Sequence, residues 1–133
     1  MTVHGLRRAS PRDVDAIRAT WDPDLQEMPE DAVWWLARDR AGVVAFCAAG
    51  ADTDGEATLL ASWTRPDARG RGWQRRMIRA RLRWARAHGF ERATSYTWGG
   101  NLPSQRALIR CGFVPVRREW DGARSWIWWS RSV

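Results

Sequence analysis

The chain has 133 residues, 44% of them apolar and 28% charged, which suits one packed domain and argues against wholesale disorder. No apolar run reaches membrane-spanning length and no charged-then-apolar leader opens the chain, so the sequence predicts a cytoplasmic protein with no membrane partner. All 22 basic residues are arginine, which excludes a lysine Schiff base, and the charge is divided: residues 1–64 hold 6 arginines against 11 acids, residues 65–133 hold 16 against 4.

In chain order, Leu6–Ala9 reads as a short strand. Ser10 can cap a helix over Pro11–Trp21, with Pro11 at the first position, where its missing N–H costs nothing. Residues 22–32, DPDLQEMPEDA, form an acidic, proline-broken loop. Val33–Arg38 and Val43–Ala49 read as strands joined by the turn DRAG, and GADTDGE leads into a strand at Ala57–Thr64 that Pro66 ends. Cys47 and Cys111 have no metal-ligating neighbours at useful spacing; they read as small buried apolar residues, and no metal site is expected.

A long helix follows at Trp73–His88. At 100° per residue Met77, Ile78, Leu82, Trp84 and Ala85 share one arc, Arg75, Arg76, Arg79, Arg83 and Arg86 the other, and Gly89 closes the helix. Arg81 falls inside the apolar arc, where its head either snorkels to water or reaches a ligand. Arg92–Trp98 is the next strand, with Tyr96 expected to pack against a helix. A helix over Leu102–Cys111 is capped by Asn101 and stopped by Gly112. Two strands, Phe113–Trp120 and Arg124–Arg131, flank the hairpin dipeptide DG. This order predicts a single α/β (α+β) domain over residues 1–133, with a mixed, mostly antiparallel sheet and helices on both faces.

The stretch RPDARGRGWQRR is a strand running into a glycine-containing turn that opens a helix. At such a junction the first backbone N–H groups lack intrahelical partners and the positive end of the dipole points outward, so a phosphate can rest there. Gly70 and Gly72 permit close approach, and Arg69 and Arg71 add charge. The third glycine of a dinucleotide fingerprint is missing.

Here the sequence resembles the GCN5-related N-acetyltransferase (GNAT) superfamily. Its Arg/Gln-x-x-Gly-x-Gly/Ala turn is matched by Arg69-Gly70-Arg71-Gly72-Trp73-Gln74 except at the last position, and NLPSQRALIRCGF supplies Asn101, Gly112 and Phe113 in order. The resemblance is strong over residues 57–117 and weaker before them. It implies acetyl-CoA as co-substrate, held by Ser62, Trp63, Thr64, Arg69, Gly70, Arg71, Gly72, Trp73, Gln74, Asn101 and Ser104. It further implies direct acetyl transfer to a primary amine of a small, cationic molecule.

At the position of the family's thiolate-protonating tyrosine stands Leu108, so Tyr96, the chain's one tyrosine, is the candidate acid and Glu56 the candidate base. Acceptor contacts fall on Asp22, Asp24 and Glu27 and on Trp126 and Trp128. The surplus of 11 tryptophans allows a homodimer interface. Two other readings stay open: an acyl-CoA-binding module without catalysis, and a basic nucleic-acid-binding protein. The solvent-facing arginines of the long helix weigh against the latter.

Overall fold

The computed structural model describes residues 5–20 and 28–133. In chain order it contains β1 (Arg7–Arg8), α1 (Pro11–Thr20), β2 (Val33–Asp39), β3 (Gly42–Ala51), β4 (Ala57–Thr64), α2 (Trp73–Ala87), β5 (Arg92–Trp98), α3 (Leu102–Arg110), β6 (Val114–Trp120) and β7 (Ser125–Ser132). The strands form one sheet in the order β1-β2-β3-β4-β5-β7-β6. Each neighbouring pair is antiparallel except β4–β5. Element ends move by a residue or two from the sequence reading, and β1 shrinks to two residues. A short 3-10 turn at Pro66–Ala68, not anticipated, carries the chain from β4 to the glycine loop.

Local chemistry explains the helix starts. The Ser10 hydroxyl accepts from the Asp13 N–H at 3.2 Å while the Asp13 carboxylate accepts from the Ser10 N–H at 3.0 Å, a reciprocal cap for α1. Asn101 caps α3 by accepting from the Ser104 N–H. Gly89 and Gly112, with φ near +79° and +87°, end α2 and α3 in the left-handed conformation expected of them.

The core lies on both sides of the sheet. Ile17 of α1 packs on Trp34, Leu36, Phe46 and Ala48, and the opposite face of β2 and β3 meets α2 through Trp35, Ala45, Cys47, Trp73 and Met77. This double cover explains why VWWLA and VVAFCAAG are continuous apolar runs rather than alternating ones. A third cluster joins Ile78, Leu82 and Ala85 of α2 and Leu108 of α3 to Ile127 and Trp129 of β7. Burial raises the Cys47 thiol to about 11, so this cysteine behaves as a small core residue. Asp39, held by the Arg65 guanidinium, is lowered to about 2.

The arginines of α2 divide as the helical angle predicts, with Arg75, Arg76, Arg79, Arg83 and Arg86 exposed. Arg81 departs from the snorkelling alternative: it is 3% exposed and points inward to the sheet. Tyr96 departs in the other direction. It is 54% exposed and packs against tryptophans of the neighbouring strand, not against a helix, because α1 covers β2 and β3 and leaves that face of β5 open.

Candidate functional site

The glycine loop is built by two positive backbone angles, φ +75° at Gly70 and +86° at Gly72, which L side chains adopt only with strain. Gly72 is the N-cap of α2 and supplies no side chain to it. The backbone N–H groups from Gly70 to Arg75 have no protein acceptor among the described residues. A run of free amide donors at a helix start, where the dipole adds positive potential, is an anion cradle.

That cradle opens into a cleft of about 720 Å³, lined by β4 (Ser62–Thr64), the loop (Arg69, Gly70, Gly72), the start of α2 and one side of α3. Arg69, Arg75, Arg106 and Arg110 stand on its walls, and no Asp or Glu does among the described residues. Three of these arginines were not singled out by the sequence motif. Arg106 and Arg110 lie four apart on α3, so one helical face presents both, and the Asn101 cap that fixes α3 is the signal that points to them. Arg71, which the motif singles out, is exposed but does not line the cleft. Arg69 folds back so that its Nε donates to the Thr64 carbonyl at 3.1 Å.

Gln74 stands where a small residue is usual, and it has a partner. Its Nε2 donates to the Ser104 Oγ at 2.7 Å, and Ser104 in turn donates its N–H to the Asn101 Oδ1. This chain ties the first turn of α2 to the first turn of α3. Ser62, Gln74, Asn101 and Ser104 line both the large cleft and a second, smaller one of about 220 Å³.

The smaller cleft exists because β4 and β5 diverge. They pair in parallel only at Ala57–Ala93 and Thr58–Thr94, after which β5 pairs along its whole length with β7. Across from Cys47 and Ala49 of β3 stand Ser62 and Leu59 of β4, so β4 carries an extra residue there, a bulge at Leu60–Ala61. Bulge, splay and the ends of α2 and α3 enclose the cleft, with Tyr96, Trp98 and Trp126 on one side and Leu108 at 3% exposure on the other.

Tyr96 meets Trp126 edge-on at 5.8 Å and stacks on Trp128 at 6.1 Å. Trp126 donates its Nε1 to Asp121 at 2.6 Å, which fixes the indole. Trp128 lines neither cleft; it backs Tyr96 and carries Arg117 over its ring at 4.4 Å. Trp98 lies over Gly100, where any Cβ would overlap the indole. Glu56 lies in the β3–β4 turn, its N–H bonded to Asp52, and lines neither cleft. Asp22, Asp24 and Glu27 lie outside the described residues. The structure thus gathers Arg69, Gly70, Gly72, Gln74, Ser62, Asn101, Ser104, Tyr96 and Trp126 around two clefts that share Ser62, Gln74, Asn101 and Ser104 in their walls.

Comparison with known proteins gives one consistent match. A model of the acetyltransferase (GNAT) family matches residues 3–113. No curated protein matches the sequence. Among solved structures, an IAA acetyltransferase from Bacillus cereus ATCC 14579 superposes with a TM-score of 0.81 at 12% identity, covering 99% of this chain and 100% of that one. The ribosomal-protein-S18-alanine N-acetyltransferase of Escherichia coli gives 0.80 at 15% identity, covering 99% and 94%. A Bacillus anthracis str. Ames protein assigned as a streptothricin acetyltransferase, solved in complex with acetyl coenzyme A, gives 0.70 at 16% identity, covering 80% and 65%.

Proposed function

The chain belongs to the acetyltransferase (GNAT) family, and from that premise we propose that it transfers an acetyl group from acetyl-coenzyme A to the primary amine of a small, cationic molecule by direct attack in a ternary complex. The observation that carries this reading is the run of unpartnered amides from Gly70 to Arg75, opening into a cleft walled by arginine and free of described carboxylates. Those donors fit a diphosphate. Beyond it, the edge of β4 is open past Thr58 and offers strand-like hydrogen bonds to an extended amide chain running toward the splay.

Bound there, acetyl-coenzyme A supplies an acyl group activated as a thioester, whose C–S bond is exchanged for a new C–N bond. The protein's part is positioning and charge. The β4 bulge borders the narrow cleft through Leu60 and Ala61, and a backbone N–H of this strand would polarise the thioester carbonyl. Tyr96 and Trp126 form an aromatic wall on the acceptor side, suited to an ammonium by cation–π attraction. The attacking nitrogen gives up a proton to solvent-linked base, and the departing sulfur gains one. Leu108 has no proton to give, and Tyr96 lines the same cleft, so Tyr96 is the proposed donor. We expect Tyr96→Phe to slow turnover by roughly tenfold or more. Glu56→Gln, a change outside both clefts, is expected to leave the rate within about twofold, since isolated surface changes have small effects. Steady-state kinetics on the two variants distinguish these outcomes.

The reading itself is tested by melting the protein with acetyl-coenzyme A and then following thiol release with a panel of amines. A ligand that binds only the folded state must raise Tm. Release with at least one amine is the expected result. A shift without release on any amine leaves a binding module, and no shift at millimolar concentration removes the reading.

A further inference from the structure

Among the described residues, Arg81 is the one charged side chain that borders the cleft between β4 and β5. It reaches that wall from the buried face of α2. Its Nε donates to the Met77 carbonyl on its own helix at 3.0 Å. Its Nη1 is shared between the carbonyls of Ala48 at 3.3 Å and Leu60 at 3.1 Å, at the point where β4 bulges. All three acceptors are neutral dipoles. No carboxylate pairs with Arg81, and its Nη2 has no acceptor among the described residues.

Burial pushes the guanidinium pKa down from its ordinary value, yet a guanidinium keeps its proton in proteins. The result is a fixed positive charge, 3% exposed, with a spare donor on the wall of a cleft. Buried charges in folded proteins are paired or engage a ligand. The planar edge of a guanidinium matches one class of small anion best, a carboxylate.

We propose that Arg81 and the cleft it borders form a carboxylate-binding position for a substrate of the transfer reaction. The inference rests on the acyl-transfer reading above. The carboxylate has two possible carriers, the acyl chain of the thioester or the amine acceptor, and either places the anion in the same cleft. An acceptor of this kind is zwitterionic, with its ammonium near Tyr96 and Trp126 and its carboxylate toward Arg81.

Two arms separate the carriers. In the donor arm, succinyl-coenzyme A is compared with butyryl-coenzyme A, which has a methyl group in place of the terminal carboxylate. In the acceptor arm, with acetyl-coenzyme A, a panel of α-amino acids is compared with the corresponding carboxamides. In one arm the carboxylated member should be favoured by about tenfold or more in kcat/KM, the size expected of a charge-assisted hydrogen bond. Arg81→Met should erase that preference and Arg81→Lys retain part of it, while the rise in Tm with coenzyme A alone persists in both. If Arg81→Met does not fold, the wild-type pairs and Arg81→Lys carry the decision. Equal rates within both arms of the wild type, or a preference unchanged by the substitution, would overturn the inference. Absence of any shift with coenzyme A in the wild type removes the acyl-transfer reading, and this inference with it.

Discussion

Replacing Arg69 and Arg106 together by glutamate is expected to weaken acetyl-coenzyme A binding by about a hundredfold or more, with Tm of the free protein nearly unchanged. The two arginines stand on different walls of the large cleft, one on the glycine loop and one on α3. Both are exposed and neither takes part in an ion pair among the described residues; in the free protein the exchange removes the bond from Arg69 Nε to the Thr64 carbonyl, an exposed contact of small weight. A charge-assisted hydrogen bond contributes about 1.5–3 kcal/mol. Losing two therefore reaches a factor of a hundred, about 2.8 kcal/mol, before the repulsion added by glutamate is counted. Titration calorimetry at fixed ionic strength measures it. Arg71→Glu is the informative control. The sequence motif marks Arg71 as strongly as Arg69, but its side chain does not line the cleft, so the loss should be only a few-fold, from long-range charge. A hundredfold loss at Arg71 would mean that the phosphates lie on the other side of the loop.

The second large effect is on stability. Trp129→Ala should cost about 3–5 kcal/mol, read as a fall in the denaturant midpoint, because a 3%-exposed indole would leave a cavity at the centre of the third core cluster. The indole also donates Nε1 to the Thr97 Oγ1 at 3.0 Å, and Thr97 is itself buried. Trp129→Phe should therefore retain most of the packing and lose about 1–3 kcal/mol for the orphaned hydroxyl. Trp128, one residue earlier, faces the opposite side of the sheet, half-buried against Tyr96. Its replacement by alanine should cost clearly less, about 1–2 kcal/mol for partial burial, and should instead disturb the setting of Tyr96. The contrast between adjacent tryptophans follows from the two-residue period of a strand.

That period is legible in SWIWWSRS, and so is much else. Ser10, Asn101, Gly89 and Gly112 each sit where local hydrogen bonding or a left-handed angle demands such a residue, and the helices begin and end there. The 3.6-residue rhythm of α2 set five arginines toward water, and GRG between a strand and that helix announced a turn with two left-handed glycines. These signals are readable in one dimension because the interactions behind them span only a few residues. Even the departure at Gln74 was visible; its bond to Ser104, thirty residues away, was not.

What only the tertiary structure decided involves distance along the chain. The splay depends on β5 choosing β7 over β4 after two pairs, and the bulge depends on the register of β4 against β3. Arg106 and Arg110 join Arg69 and Arg75 because α2 and α3 start side by side. Arg81 looked like an anomaly in an apolar stripe, since nothing local says that two strand carbonyls wait beneath it. The sequence alone determined the elements, their caps and the glycine turn that opens α2. Which side chains meet in the clefts, and which buried charge lines one of them, was settled by pairings between segments far apart in sequence, where free energy depends on register and packing rather than on local preference.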